Sequence, residues 1–313
     1  MAIPALDAPS AALQNLLHTL SGGGSGSSEP ESVDATSLLH EAASWGIPLQ
    51  NGVDGLRLEY PHAALSGSEI AAASGLEARQ IRILAACAST NTELLANTDS
   101  PTACLAESQW AGRGRRGRHW ASTFGHHLTL SYAWTQSTPV NPALTLVAAL
   151  SVFTLLQDSV PGLWLKWPND LWIGQQKLGG LLVEARTLAQ AQTRLVVGLG
   201  LNIHADPSLP ETATSLAEQG LVLPRSFLAG RILRQWQTDF AVFAESGLSA
   251  FIARWQQAAA PLLGKSVHIM DALGDHEAQV IQLGEDGRLQ VQSGGCQPHW
   301  ISAGDVSLRP LAS

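Results

Sequence analysis

Apolar residues change their period along this chain, and each change marks a boundary between elements. Leu13, Leu16 and Leu17, and later Leu38, Leu39 and Ala42, recur at helical spacing on either side of a Gly/Ser run from Ser21 to Ser28 that predicts a loop. Leu49-Gln-Asn-Gly-Val-Asp-Gly-Leu-Arg-Leu-Glu-Tyr60 sets turn residues between apolar flanks and predicts a small hairpin. From about Leu76 short apolar runs alternate with longer helical patterns, the texture of a sheet covered by helices. Gln80 to Cys87 predicts a strand. Thr90 and Glu93 have capping-box spacing, which predicts a helix start whose first amides can meet an anion. His127 to Trp134 alternates, with Leu128, Leu130, Tyr132 and Trp134 on one face of a half-buried strand. Asn141-Pro142 is an N-cap and first-turn pair for an apolar helix running to about Gln157, with Pro161-Gly162 beyond its end. Leu163 to Lys166, Leu178 to Ala185 and Leu195 to Ile203 are further strands, and Phe227 to Phe243 and Ser249 to Ala259 carry helical stripes. After Pro261 and Gly264, strand-like runs around Val267, Ala278, Leu289, His299 and Val306 predict a small closed or near-closed barrel of about 50 residues.

Composition narrows the class. A chain of 313 residues has room for a main domain with one or two satellites. It holds no run long enough to span a membrane, and the start Met-Ala-Ile-Pro-Ala-Leu-Asp-Ala-Pro has neither the basic beginning nor the apolar stretch of a secretory signal, so a cytoplasmic location is expected. Cys87, Cys104 and Cys296 lack metal-ligand spacing and are expected to be buried free thiols, and the His126-His127 pair lacks the supporting ligands of a metal site. Net charge is -8, and the first 56 residues hold Asp7, Glu29, Glu31, Asp34, Glu41 and Asp54 with no lysine or arginine. Two helices and a hairpin outline a winged helix there, yet one without the cations that grip DNA phosphates.

Against that acidic background, Ala111 to Trp120 reads Ala-Gly-Arg-Gly-Arg-Arg-Gly-Arg-His-Trp. Glycines let backbone approach a ligand while guanidinium forks take anionic oxygens, so phosphate or carboxylate is the expected guest. An RNA-binding segment or a solvated loop would have the same composition. Lys166-Trp-Pro-Asn-Asp170 and Lys177-Leu-Gly-Gly180 hold two of the three lysines in the chain, and Lys177 sits beside glycines that allow close ligand approach. Asn169-Asp170 fits turn chemistry or the support of a metal-bound nucleotide equally well. Val197-Gly-Leu-Gly-Leu-Asn202 places two glycines in an apolar strand, for tight packing or ligand contact. No Ser-His or Cys-His pairing stands out as a nucleophile with its base.

Taken in order, Ser89-Thr-Asn91, Gln109 leading into Gly112 to Trp120, Lys166 to Asp170, Lys177 to Gly180 and Gly198-Leu-Gly-Leu-Asn202 resemble the bacterial biotin protein ligases, the biotin-[acetyl-CoA-carboxylase] ligases. The resemblance covers about residues 80 to 310, including Ser307-Leu-Arg309. It implies an α+β fold: a central mixed sheet covered by helices, an N-terminal winged-helix-like domain and a C-terminal SH3-like small β-barrel. The implied domains are residues 1–70, which look like the DNA-binding winged helix of bifunctional members but whose lack of cations predicts that DNA binding is lost, 76–262 for catalysis and 263–313 for the barrel. The implied reaction makes biotinyl-5'-AMP from biotin and ATP with Mg2+, then transfers biotin to a lysine of the biotin carboxyl carrier protein.

By the same resemblance Ser89, Thr90, Asn91 and Gln109 bind biotin. Arg113, Gly114 and Arg115 close over it, and Lys177 with Gly180 serves the carboxylate and phosphate, making Lys177, Arg113 and Arg115 the catalytic cations. Arg118, Trp120, Asn169, Asp170, Asn202 and Arg309 line the adenylate side, with Asp170 supporting magnesium and no protein-held metal. Members of the family can form homodimers by joining sheet edges. Ala88, where the family often has an acid, and Trp110, where a polar residue is common, depart from its pattern. The alternatives are a lipoate-type ligase, and a DNA-binding transcriptional regulator of biotin synthesis, against which the acidic N-terminus speaks.

Overall fold

In the computed structural model, residues 8–21, 34–53, 55–96, 102–271, 274–294, 296–302 and 307–310 are described. The elements in chain order are α1 (Ala11–Ser21), α2 (Ala35–Ser44), β1 (Leu49–Gly52), β2 (Gly55–Leu58), α3 (Gly67–Ser74), β3 (Ile81–Cys87), α4 (Thr90–Ala96), β4 (Ala103–Gln109) and β5 (His127–Gln136). They continue with α5 (Leu144–Leu156), β6 (Leu163–Lys166), β7 (Asp170–Ile173), β8 (Gln176–Thr187), β9 (Thr193–Asn202), α6 (Arg225–Ser246) and α7 (Ile252–Ala258). Last come β10 (Ser266–Asp271), β11 (Gly274–Leu283), β12 (Leu289–Ser293), β13 (His299–Ile301) and β14 (Ser307–Pro310). A mixed seven-stranded sheet has the order β3-β4-β5-β9-β8-β7-β6, and β10 to β14 form an antiparallel sheet in the order β13-β12-β11-β10-β14. The chain divides into two compact units, residues 1–138 with 182–231, and residues 139–181 with 232–313.

In the first unit, the helical stripes read from the sequence become α1 and α2. Asp34 caps α2 by accepting the Thr36 amide. Leu13, Leu17, Leu38, Ala42, Ile47 and Leu49 bury against Ala85 of β3 and against Phe124, so the N-terminal helices share a core with the sheet. The expected hairpin forms as β1 and β2, paired antiparallel from Leu49↔Leu58 to Gly52↔Gly55. Most of the Gly/Ser run lies outside the described residues. Strands β3 and β4 run parallel, joined by α4, whose Leu94 packs with Leu84, Cys87, Cys104 and Ala106. β4 has no alternation to betray it, because all seven of its residues are buried.

A buried ion pair braces this unit. Arg225 Nη1 lies 2.6 Å from Glu107 Oε2, with both side chains 2% exposed. Arg225 also donates to the carbonyls of His127 and Ala63, and Glu107 Oε1 accepts the Leu65 amide. One carboxylate and one guanidinium thus fasten β4, β5, the chain leading into α3 and the start of α6.

The second unit is built on α5, which is apolar on every face and correspondingly buried from Leu144 to Leu156 apart from Thr145, Thr154 and Leu155. The helix begins two residues later than the Asn141-Pro142 signal: Asn141 Oδ1 accepts the Ala143 amide, so the asparagine turns the chain just ahead of the first turn. Ser151 of α5 and Gln235 of α6 donate to Asp239 of α6, and Arg254 of α7 pairs with the same carboxylate at 3.1 Å. The expected terminal strands appear as β10 to β14, with Val267, Ile269, Ala278, Val280, Leu289, Val291 and Ile301 buried. Val306, used to predict the last of them, lies outside the described residues.

The thiols depart from expectation. Cys87 and Cys104 are buried, which pushes both pKa values upward, but Cys296 is exposed in the turn after β12. Among the described residues, no helix is long and apolar enough to cross a membrane.

Replacing Glu107 by Ala leaves the Arg225 guanidinium buried without its counter-charge, a loss of about 3–5 kcal/mol. Urea unfolding of Glu107→Ala should show it, and a Glu107→Leu/Arg225→Met double variant should recover much of it.

Candidate active site

Three sequence motifs of the first unit converge where β5 and β9 pair. On β5, the face opposite Leu128, Leu130, Tyr132 and Trp134 holds His127, Thr129 and Ser131, and these too are buried, so the strand is covered on both sides and not half-buried as its alternation predicts. On β9, Gly198 stands opposite Ser131 and Gly200 opposite Thr129. Side chains at these two glycine positions would collide, the first with the Asn91 amide and the second with the Trp120 indole. The glycine motif therefore lets Asn91 and Trp120 lie directly on the strand backbone.

Asn91 is 4% exposed and bound at both ends of its amide. Its Oδ1 accepts the Ser131 hydroxyl at 2.6 Å, and its Nδ2 donates to Glu184 Oε2 at 2.8 Å and to the Leu182 carbonyl at 3.3 Å. Beside it, Gln109 Oε1 accepts the Thr90 amide at 2.7 Å and the Thr90 hydroxyl at 3.2 Å. Thr90 therefore opens α4 without acting as its cap, its amide is taken by Gln109, and Glu93 pairs with Arg82 at 3.3 Å. The expected capping box and anion-facing amide give way to a buried polar network. Ser89, also buried, provides the carbonyl that accepts the Glu93 amide.

The arginine segment folds as a short hairpin. Arg113 bridges to His119, the Gly114 amide donates to the Arg118 carbonyl at 2.7 Å, and the Trp120 amide donates to Gly112. Arg116 and Gly117 turn it with φ of 58° and 69°, the left-handed pair that a tight hairpin turn uses. Arg113 Nη2 contacts Glu184 Oε1 at 3.0 Å and Oε2 at 3.2 Å. Arg115 and Arg118 border the turn, giving a cationic hairpin suited to an anionic guest.

At the far end of the same β5–β9 pair lies a histidine cluster that pattern reading did not foresee. His127 is fully buried, with Nδ1 at 3.1 Å from Asn202 Oδ1 and Nε2 at 3.0 Å from Asp206 Oδ2. The hydrogen bond from His127 holds the Asp206 carboxyl well below its usual range. Asn202 completes its bonds by donating to the Thr214 carbonyl, so both ends of its amide shape the loop after β9. His62 stacks on His204 with ring centroids 3.6 Å apart, and His126 meets His62 edge-on.

In the second unit, Lys177 Nζ pairs with Asp170 Oδ1 at 2.8 Å. β7 and β8 pair Asp170 with Gly180 and Trp172 with Lys177, with a register shift between Leu171 and Trp172. The shift brings Lys177 onto the face of Gly180, where a Cβ would press on both Lys177 and Asp170. Asp170 is thus a strand residue, not part of the turn its neighbours suggest. Asn169 is buried and donates to the Leu181 carbonyl at 2.7 Å, a structural commitment. Lys166 lies over the Trp172 ring, its ammonium 4.1 Å from the centroid. Arg309 sits on β14 opposite His268.

Residues 84–202 match the biotin/lipoate A/B protein ligase family. The chain is 32% identical to the bifunctional ligase/repressor BirA of Salmonella typhimurium, over 75% of this chain and 76% of that one. It is 33% identical to the biotin-[acetyl-CoA-carboxylase] ligase of Mycobacterium tuberculosis, over 81% and 97% respectively. Among solved structures, the biotin protein ligase from Aquifex aeolicus in complex with biotin and ATP superposes with a TM-score of 0.65 at 28% identity, covering 74% of this chain and 99% of that one. The chain belongs to the biotin protein ligase family.

Ser131, Glu184 and the His127–Asp206 pair escaped sequence reading. Ser131 had a signal: the alternation that lines Leu128 and Leu130 on one face sends it to the other. Glu184 had a weaker one, even spacing from Gly180 along β8.

Two outcomes follow. Gly198→Ala forces Asn91 off the strand and should cost about 1–3 kcal/mol of stability, measured by urea unfolding. Burial and neighbouring cations lower the His204 pKa to about 4 from 6.5. Folding therefore favours the neutral ring, and the cost is absent above pH 6.5, grows as pH falls and is complete near 4. The fall in Tm across this window should be shallower in His204→Gln than in the parent.

Proposed function

We propose that this protein activates biotin with ATP as biotinyl-5'-AMP and transfers it to a lysine of a biotin carboxyl carrier protein. The observation that carries the reading is the buried Thr90-Asn91-Gln109-Ser131 network beside an arginine hairpin in a chain of this family. Such a network presents fixed dipoles to a polar, uncharged head group, and the hairpin supplies charge for anionic oxygens. The relatives support a ligase enzyme, with biotin and ATP as substrates.

In the first step, a carboxylate oxygen of biotin attacks the α-phosphorus of ATP and pyrophosphate leaves. In the second, the carrier's lysine amine attacks the activated carbonyl, forming the amide and releasing AMP. Neither step needs an enzyme nucleophile. What the first needs is neutralisation of two anions brought into line. We assign Ser89, Thr90, Asn91 and Gln109 to the biotin head group, and Arg113, Gly114 and Arg115 to closure over the ligand. Lys177 beside Gly180 is assigned to charge on the reacting phosphate. Arg118, Trp120, Asp170 and Arg309 are assigned to the adenylate side, and Asn169 and Asn202, whose amides are committed internally, to shaping it.

Magnesium fits this reading as part of the ATP substrate. Asp170 is already paired with Lys177, and no group of three or more His, Cys, Asp or Glu suited to a metal occurs among the described residues. Residues 76–262 are proposed as the catalytic domain, 263–313 as an SH3-like barrel and 1–70 as a winged-helix-like domain, with sheet edges able to join two copies. Ligase/repressor relatives give the regulator alternative weak support, and the absence of Lys and Arg before Arg57 opposes it.

Incubation with biotin, ATP, magnesium and a carrier domain should add one biotin mass to the acceptor, and Lys177→Ala should slow that gain about a hundredfold or more. A gain seen only with lipoate would overturn the substrate. Duplex carrying a biotin-operon operator should show no salt-sensitive, sequence-specific retention; its appearance would restore the regulator.

A further inference from the structure

We infer that Glu184 is a positioning residue that couples the biotin-facing amide to the arginine hairpin, an inference that rests on the ligase reading above. Its carboxylate is the shared acceptor of two side chains assigned to biotin: Asn91 Nδ2 at 2.8 Å and Arg113 Nη2 at 3.0 and 3.2 Å. The Glu184 side chain is 25% exposed and that of Arg113 42%, so the pair lies where solvent meets the buried network.

Each contact has a chemical consequence. An amide side chain has two orientations, and a partner that only accepts selects one of them. Because an ionised carboxylate cannot donate, Glu184 draws the Asn91 NH2 toward β8 and leaves Oδ1 facing Ser131 and the open backbone of Gly198. The Asn91 amide is thereby held in one orientation, its oxygen on the Ser131 hydroxyl and its nitrogen on β8. On the hairpin side a single nitrogen, Nη2, makes both contacts to Glu184, so the pair engages one corner of the guanidinium and not its Nη1 and Nε groups. The carboxylate holds Arg113 in place without occupying its fork. Glu184 therefore shares with the Leu182 carbonyl the fixing of the face Asn91 presents, and it alone of the two also sets where the hairpin cation stands. The placement on β8 permits this, since Leu182 contributes its carbonyl to the same Asn91 amide two residues earlier.

Gln at this position keeps the size and removes the charge. Its own NH2 then faces Arg113 Nη2, donor against donor, in either orientation, and Asn91 Nδ2 as well in one of them, so the Arg113 pairing weakens and the Asn91 bond is kept only in the other. Glu184→Asp keeps the charge on a shorter stem and should restore part of the coupling. Two readouts test it on the full chain, with Tm recorded for each variant. Biotin binding without ATP, measured by calorimetry, should weaken about tenfold in Glu184→Gln, with kcat at saturating biotin changed less than KM and Glu184→Asp intermediate. Limited trypsin cleavage within residues 113–118 of the ligand-free protein should accelerate several-fold in Glu184→Gln, about as the loss of a charge-assisted contact predicts.

Unchanged binding and unchanged cleavage in Glu184→Gln at parental Tm would overturn the inference. So would equal losses in the Gln and Asp variants accompanied by a matching fall in Tm, because that is the mark of a merely structural carboxylate. If the parent protein takes up no biotin, the ligase reading fails, while the ligand-free cleavage comparison still decides whether Glu184 holds the hairpin.

Discussion

A polar side chain on the inner face of a central strand must have its hydrogen-bonding groups answered, and the first unit is arranged around that demand. Ser131 is fully buried, and its hydroxyl reaches Thr90 at 2.7 Å and Asn91 at 2.6 Å. Those two residues sit at the start of α4, so satisfying one serine sets the height of the helix over the sheet. Asn91 can lie so low because Gly198, paired with Ser131 across the strands, presents no Cβ, and Thr90 is steadied in turn by Gln109 at the end of β4. Contributions from β4, β5, β8, β9 and α4 close one circuit in which no member can be moved alone.

A second theme is how the cations are kept. The chain is acidic overall, yet two of the cations assigned to ligand chemistry each have a carboxylate at hand, Arg113 with Glu184 and Lys177 with Asp170. All four side chains are part-exposed, so these pairs add little stability by themselves. Their effect is geometric: each carboxylate limits where its cation can stand, and part of the ordering entropy is spent before a ligand arrives. The Glu107–Arg225 pair is different in kind. With both side chains 2% exposed and further bonds to Leu65, Ala63 and His127, it is a fixed joint of the fold.

Pattern reading succeeded where apolar residues recur with a period or form an unbroken run, and failed where they do neither. The stripes at Leu13 to Leu17 and Leu38 to Ala42 face a core on one side only, and they appear as α1 and α2. β4 could not be seen, because both of its faces are covered and Ala-Cys-Leu-Ala-Glu-Ser-Gln has no period to detect. β7 was hidden for another reason: Pro168-Asn169-Asp170 carries turn chemistry, and four residues are too few to outvote it. At the site, the glycines and arginines were legible because their chemistry is unusual wherever it occurs. Thr90 was misread because its hydroxyl has two local roles, capping a helix or joining a buried network, and only the partner on β4, far along the chain, decides between them. Glu184 and Asp206 acquire their meaning from partners about 70 to 90 residues away, a distance no local window spans.

The uneven burial of the three cysteines has a practical side. Two thiols are sealed in the core with their ionisation suppressed, and only Cys296 is exposed. Thiolate-dependent reagents discriminate on access and ionisation, so a maleimide dye or spin label should attach at one place in the native chain without any cysteine being engineered away. The molecule already carries its own single-site handle for fluorescence or electron paramagnetic resonance.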